Sequence, residues 1–235
     1  MKQLPPSFPL TITAPLLDGI PESCRELVAA LVASASHPDP IFRELLAPRL
    51  ASLTEQTRPW SHGQLVFSST EAWRTAYEKV LSSSEITRYR SVAWVKSEDY
   101  WQDLPGQQGM RLNYALLDSG MQIQRMLILG WNLWPPHMQL PLKGILGWID
   151  EQHYRGVGLL LIRENDVIGE PDLLRDFGIY GDRATGEQEI DADSRTVNFT
   201  LSFDQAAVEL AVDRWARLAL FATPYGELLD RMLEK

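Results

Sequence analysis

Three apolar runs decide the fold: YRSVAWV (Tyr89–Val95), QIQRMLILG (Gln122–Gly130) and GVGLLLIR (Gly156–Arg163). Each is rich in residues that suit a pleated surface, and each is too short to span a membrane. Helix-like segments separate them, which gives the order strand, helix, strand, helix, strand. Because the runs are apolar almost throughout, both faces of each strand are expected to be covered. The pattern predicts an α/β fold with a mixed, mostly parallel sheet flanked by helices.

Further elements are predicted on both sides of this centre. Gln64–Phe67 (QLVF) predicts a short strand, and a helix through Trp73 follows it. Toward the C-terminus, Leu174–Tyr180 and Thr196–Phe203 predict an antiparallel strand pair that is joined by a polar turn. A long final helix is predicted from about Asp204.

The segment between the first two apolar runs contains Pro105 and Gly106. These residues predict a loop over Asp103–Gly109, before a helix that ends at Ser119–Gly120.

The N-terminal quarter of the chain differs from the rest. Residues 1–21 hold five prolines and predict an irregular arm. A helix follows, with Cys24 on its apolar stripe, where cysteine usually behaves as a small buried hydrophobe. A second helix should kink or stop at Pro48, because proline removes a backbone donor. We therefore predict an N-terminal arm and helical extension over 1–61 and an α/β domain over 62–235.

Composition restricts the class of protein. The chain has 235 residues, of which 45% are hydrophobic and 23% charged, close to the average for globular proteins. The formal charge of −9 argues against electrostatic binding to the phosphate backbone of a nucleic acid, so no nucleic-acid partner is expected. No basic and apolar N-terminal leader is evident, which predicts a cytoplasmic protein without a membrane partner.

Ligands of open α/β sheets tend to bind where parallel strands end, at their carboxyl edge. That rule nominates the residues at the ends of the three apolar runs. The candidate ligand-binding residues are Trp94, Lys96, Trp131, Trp134, Arg163 and Glu164.

Each group of candidates has two interpretations. Trp131 and Trp134, on a proline-stiffened loop, could wall an apolar pocket or could cap the sheet as peripheral core. Arg163 could bind an anion, with Glu164 or Asp166 as acid or base, or the three could form a solvated turn. Both interpretations stay open at this point.

Motifs that would specify a reaction are missing from the sequence. There is no Gly-x-Ser-x-Gly elbow, no Gly-x-Gly-x-x-Gly and no Walker sequence, and the four histidines have no metal-ligand spacing. An alternating acidic run, Glu187 to Asp193, could attract a divalent cation or could be a charged edge strand. We predict no catalytic residue, no cofactor and no metal.

The order of elements from Gln64 to Trp215 resembles one half of the phospholipase D fold, in the degenerate form that some bacterial regulatory domains use. Active members of that family carry His-x-Lys-x-x-x-x-Asp. When LRDFGIYGD (Leu174–Asp182) is laid on this motif, Asp182 keeps the acid, but Arg175 replaces the histidine and Phe177 replaces the lysine. The resemblance implies the fold of the family without its chemistry, because arginine stays protonated and phenylalanine cannot neutralise phosphate.

These observations give a ranking of functions. The first is a non-catalytic bacterial α/β domain that senses a small ligand or mediates protein contacts, as a homodimer, since symmetric self-association is common. The alternative is an enzyme that acts on a small anionic substrate at the carboxyl ends of the strands. A purely structural partner of another protein is the third hypothesis.

Overall fold

The computed structural model describes residues 21–68, 70–100, 102, 104–190 and 196–233. The chain divides into two compact units, Met1–Arg58 and Pro59–Lys235. The predicted cut between residues 61 and 62, as a boundary of independent domains, stays a prediction. Nearly all of the predicted proline-rich arm lies outside the described residues.

The described residues of the first unit form the helices α1 (Glu22–Ala35) and α2 (Pro40–Thr57), the predicted helical extension. Asp39 caps α2, since its Oδ1 accepts hydrogen bonds from the backbone N–H groups of Ile41 and Phe42 at 2.8 and 3.2 Å. Of the two predicted effects of Pro48, a stop is wrong: α2 continues through it, because a proline removes one donor and leaves the other bonds of the helix intact. A kink at Pro48 stays a prediction. Cys24 is exposed, contrary to expectation, because no described residue of α1 or α2 is buried.

The second unit is built on one sheet of eight strands in the order β1-β7-β6-β5-β2-β3-β4-β8. Among the described residues, the pairings β2–β3 and β3–β4 are parallel and the other five are antiparallel. The predicted α/β class with a mixed sheet and flanking helices is confirmed. The sheet is not mostly parallel as predicted: its parallel part is only the trio β2, β3 and β4, because the strands on either side pair in the antiparallel sense. The strands are β1 (Gln64–Phe67), β2 (Arg88–Val95), β3 (Gln122–Leu129), β4 (Gly158–Arg163), β5 (Asp176–Tyr180), β6 (Ala184–Ile190), β7 (Thr196–Ser202) and β8 (Thr223–Pro224).

In the described part of the second unit, the helices that flank the sheet are α3 (Thr70–Leu81), α4 (Leu104–Asp118), α5 (Lys143–Tyr154), α6 (Glu164–Val167), α7 (Gln205–Ala219) and α8 (Tyr225–Leu233). The predicted loop over Asp103–Gly109 is wrong, because α4 begins at Leu104. Proline suits the first turn of a helix, where its missing N–H would have no partner. Gly120 and Gly156 follow α4 and α5 with φ of 96° and 95°, a conformation that favours glycine. None of the described helices is both long enough and apolar enough to cross a bilayer.

Side chains on the two faces of the sheet form two cores. On the face with α3, α4 and α5, residues such as Leu127 and Leu129 are fully buried. On the face with α7, Val92 and Phe177 pack with Trp215. Burying a leucine or phenylalanine side chain stabilises a fold by about 1.5–3 kcal/mol. The alternation of β2 and β3 between two cores explains why these strands are apolar on both sides.

The structure corrects the prediction of a polar turn between two C-terminal strands. The strand β6 occupies most of that segment and pairs with β5 and β7 on its two sides. Glu187 and Glu189 therefore lie on an inner strand rather than on an edge. Asp191 and Asp193, the rest of the acidic run, lie outside the described residues. Within the described part of the chain, no group of three acidic, histidine or cysteine residues could hold a metal ion.

Candidate functional site

The six candidate residues gather at one edge of the sheet. The parallel strands β2, β3 and β4 are adjacent, and their register aligns Val95 with Leu129 and Leu129 with Arg163. Their carboxyl ends therefore lie at one level. We call this place the carboxyl edge and define it by the candidates Trp94, Lys96, Trp131, Trp134, Arg163 and Glu164.

Glu164 connects two of the tryptophans at the carboxyl edge. Its Oε1 accepts a hydrogen bond from the indole Nε1–H of Trp94 at 2.8 Å. Its Oε2 accepts one from the backbone N–H of Trp131 at 3.3 Å. A carboxylate that accepts two N–H donors holds both in place. Glu164 thereby fixes the loop after β3 against the end of β2.

Lys96 completes this part of the edge from the end of β2. Its ammonium lies 3.5 Å from the centre of the Trp94 ring, which is a cation–π contact. Its backbone carbonyl accepts a hydrogen bond from Nδ2 of Asn132 at 3.1 Å. The ends of β2 and β3 are therefore joined by both side chains and backbone.

Arg163 anchors the loop that carries the tryptophans. Its guanidinium donates to the carbonyls of Pro135 and Met138, both at 2.6 Å, and of Trp134 at 3.4 Å. It also stacks on the Trp134 ring at 4.0 Å. Burial lowers the pKa of Arg163 from its ordinary value. The side chain thus holds the loop through backbone oxygens, and its role as an anion clamp stays a prediction.

The two loop tryptophans have different environments. Trp134 is only 4% exposed and belongs to the core. Trp131 is 66% exposed. Trp134 thus matches the packing interpretation, whereas Trp131 presents its ring to solvent. Ligand binding by any of the six residues is not tested by this geometry and stays a prediction.

A buried carboxylate that the sequence analysis missed lies next to the carboxyl edge. Asp176 Oδ1 accepts from the backbone N–H of Trp94 at 2.6 Å, and Oδ2 accepts from the Tyr100 hydroxyl at 2.8 Å. Burial raises the pKa of Asp176 to about 6, although both hydrogen bonds favour its charged form. The available signal was an acidic residue in the otherwise apolar run DFGIY.

Asp176 is one wall of a small internal cavity. The cavity measures about 30 Å³, which is room for one or two water molecules. Arg125 lines it as well, and is buried with its guanidinium donating to Ser91 Oγ at 3.0 Å and Gln152 Oε1 at 2.5 Å. A charged residue within the apolar run QIQRMLIL was the signal for Arg125, which the sequence analysis also missed.

The positions laid on the phospholipase D motif do not form a catalytic group. Arg175 Nη1 lies 2.5 Å from Glu187 Oε1 in an ion pair. Phe177 is buried in the core below α7. Asp182 follows Gly181, whose φ of 60° favours glycine, in the turn after β5. Arg175 is therefore paired with an acid, Phe177 is in the core and Asp182 is exposed.

Comparisons with known proteins find similarity at the level of fold. No protein-family model matches the chain, and no curated protein sequence matches it. Nuc from Salmonella typhimurium, a phospholipase D family member, is similar with a TM-score of 0.49 and 11% identity over 69% of this chain and 97% of its own. NucT from Helicobacter pylori is similar with a TM-score of 0.44 and 10% identity over 68% of this chain and 98% of its own. The chain thus has a weak fold resemblance to phospholipase D family members.

A third neighbour corrects one expectation. The archaeal chromatin protein TrmBL2, whose structure shows a novel mode of DNA binding, is similar with a TM-score of 0.43 and 14% identity over 86% of this chain and 69% of its own. The exclusion of nucleic acid as a partner was therefore wrong. A net charge of −9 describes the whole chain and does not prevent a local contact with an anion.

Proposed function

We propose that the α/β unit is a non-catalytic binding domain that holds a protein partner at its carboxyl edge, with Trp131 as the anchoring side chain. The observation that carries this proposal is an exposed tryptophan on a loop that is fixed from several sides. Tryptophan is enriched among the residues that dominate protein interfaces. A rigid anchor loses little conformational entropy on binding, which favours affinity.

The shape of the surface supports a protein partner over a small molecule at this edge. Small-molecule sites are concave and enclose most of the ligand. Trp131 instead projects from the edge, and the internal cavity beside Asp176 has room only for water. A protein partner could cover the Trp131 ring with a pocket of its own.

The residues at the motif positions support the non-catalytic part of the proposal. A phosphodiesterase of the phospholipase D type needs a nucleophilic histidine, and Arg175 stands there in an ion pair. Phe177 stands in the core where a phosphate-binding lysine is needed. The enzyme alternative at the carboxyl edge has weaker support, because Arg163 is occupied by three carbonyls.

A photo-crosslinking residue in place of Trp131 tests the proposal. We expect a discrete adduct with one partner in cells, and no such adduct from the matched position Tyr154, an exposed aromatic residue of α5. The captured partner is then purified and titrated with the wild type and with Trp131→Ala. Loss of a central tryptophan should weaken binding by about 2 kcal/mol or more, roughly thirtyfold. Equal adducts from both positions, or equal affinity of Trp131→Ala, would contradict the proposal.

A further inference from the structure

A concave surface with a different lining from the carboxyl edge lies between α4 and α5. It is a groove of about 570 Å³, within the range of small-molecule sites. We call it the α4–α5 groove. Its principal lining residues are Met110, Arg111, Tyr114, Gly147, Trp148 and Arg155.

The α4–α5 groove carries two guanidinium groups that have no acidic partner among the described residues. The side chain of Arg111 makes no hydrogen bond or ion pair with any residue that the structure describes, and the side chain of Arg155 makes only a cation–π contact, 5.2 Å from the Tyr114 ring. The carboxylate of Glu151, which also lines the groove, lies beside the Tyr114 hydroxyl. Arg111 of α4 and Arg155, the residue after α5, line the same groove. A guanidinium group can hold a carboxylate or phosphate in a bidentate manner.

The floor of the α4–α5 groove is apolar and fixed. Met110 is buried, and its Sδ accepts a hydrogen bond from the buried Arg125 at 3.1 Å. Trp148 lines both the groove and the internal cavity. Its indole Nε1–H is buried and has no hydrogen-bond partner among the described residues. Because this N–H is closed to solvent, a molecule in the groove would meet only carbon atoms of the Trp148 ring.

Glycine keeps the α4–α5 groove open. A Cβ atom on Gly147 would have no other atom within 4 Å, so the space above this residue is empty. Glycine within a helix destabilises it by about 1 kcal/mol relative to alanine. Gly147, in the middle of α5, leaves open a space next to Trp148 that a larger side chain would occupy.

We propose that the α4–α5 groove binds a small aromatic anion, with Arg111 and Arg155 on its charged group and Met110 and Trp148 against its ring. A phosphate ester and a carboxylate would both bind in this way, because a guanidinium group can hold either anion. The proposal is independent of the partner at the carboxyl edge. Either can therefore fail without the other.

Calorimetric titration of the full chain with phenyl phosphate and with benzoate tests the proposal and separates the two acids. We expect saturable binding of at least one of them, and none of the neutral phenol. The double variant Arg111→Gln/Arg155→Gln should bind the anion at least about tenfold more weakly, because both charged contacts are lost. Arg88→Gln, a change at an exposed arginine of β2, serves as the matched control and should leave the affinity unchanged.

Gly147→Leu gives a second, sterically based test. The leucine side chain should fill the groove and abolish binding while the melting temperature rises, because leucine favours a helix over glycine. A combined loss of binding and gain of stability cannot arise from misfolding. Absence of saturable binding of both anions at about 10 mM would overturn the proposal, since such an affinity is under about 3 kcal/mol. Unchanged affinity in the double variant or in Gly147→Leu would also overturn it.

Discussion

The carboxylate of Asp176 serves as a strand partner for Trp94, whose backbone N–H donates to Asp176 Oδ1 at 2.6 Å. The antiparallel pairing of β2 with β5 ends two residues before Trp94, where Val92 lies opposite Phe177. A side chain therefore continues a row of backbone hydrogen bonds. Because Trp94 also belongs to the carboxyl edge, the buried carboxylate supports the candidate binding surface from below.

This burial predicts a pH dependence of stability. The pKa of Asp176 is about 6 in the folded state, against an ordinary value of 3.8. Between these values the native state binds more protons than the unfolded state, so the free energy of unfolding falls as pH rises. The loss amounts to about 3 kcal/mol and is complete above about pH 7. Asp176→Asn should remove it, because asparagine carries no charge.

Denaturant unfolding of wild type and Asp176→Asn at several pH values measures this effect. The difference in free energy of unfolding between the two proteins should shift by about 2 kcal/mol in favour of the variant from pH 4 to pH 7, because part of the effect is already present at pH 4. Asp182→Asn, a change at an exposed acid, is the control and should show no shift of this kind. A difference that does not change with pH would refute a raised pKa at Asp176.

A glycine pair in the sheet predicts a destabilising alanine substitution. Gly178 lies opposite Gly186 between β5 and β6, and a Cβ on Gly186 would lie 2.5 Å from the Phe199 ring. Overpacking of this kind costs about 1–3 kcal/mol. Gly186→Ala should therefore lower the free energy of unfolding by that amount, as measured by urea denaturation.

The same substitution elsewhere is its control. Gly147→Ala meets open space in α5 and should raise the free energy of unfolding by up to about 1 kcal/mol. The two glycine-to-alanine substitutions would thus change the free energy of unfolding in opposite directions. If Gly186→Ala is as stable as the wild type, the ring of Phe199 moves aside without loss and the packing argument is wrong.

The centre of the fold could be predicted because its signal is local. The strands β2, β3 and β4 are continuous apolar runs, and Gly120 and Gly156 mark the ends of the helices between them. The strand β6 could not be predicted in this way. Its sequence ATGEQEI is polar, and it becomes a strand only because β5 and β7 pair with it on both sides.

The sequence predicted where the candidate site lies, but not which hydrogen bonds and packing contacts its side chains make. The rule for carboxyl ends of parallel strands selected six residues that the fold does bring to one edge. The conformation of the loop after β3 decides which of these side chains already have partners within the protein. Arg163 donates hydrogen bonds to three carbonyls of this loop, and Trp134 is buried in the core. Asp176 was missed because its partners, Trp94 and Tyr100, are distant in sequence.

The contacts of Arg163 predict that lysine cannot replace it. A lysine ammonium is a compact charge and cannot reach three carbonyls while stacking on Trp134. Arg163→Lys should lower the free energy of unfolding by about 1–3 kcal/mol, because buried carbonyls lose their donors. Arg88→Lys, at an exposed position of β2, should be neutral. Urea denaturation distinguishes the two, and equal stability of both variants would show that Arg163 does not anchor the loop.

The first unit predicts self-association of the chain. The helices α1 and α2 have 14 and 18 residues, and none of their described residues is buried. The unit spans 58 residues, and below about 70–80 residues a single core rarely supplies enough stability without a disulfide, a metal or a second copy. Cys24 is the single cysteine, so an intramolecular disulfide is impossible. In a homodimer, the α1 and α2 helices of each chain would cover the exposed apolar side chains of the other chain's helices. We therefore expect a homodimer.

Light scattering of the full chain at tens of micromolar measures this association, and Leu45→Glu should disrupt it. Leu45 is 69% exposed on α2, and a charge there would be buried without a partner in the dimer. Leu220→Glu changes a residue that is 83% exposed beyond α7 and should remain dimeric. Both variants should keep the melting temperature of the α/β unit, since neither side chain is in a core. A monomeric wild type would refute the dimer, and a dimeric Leu45→Glu would place the interface outside this part of α2.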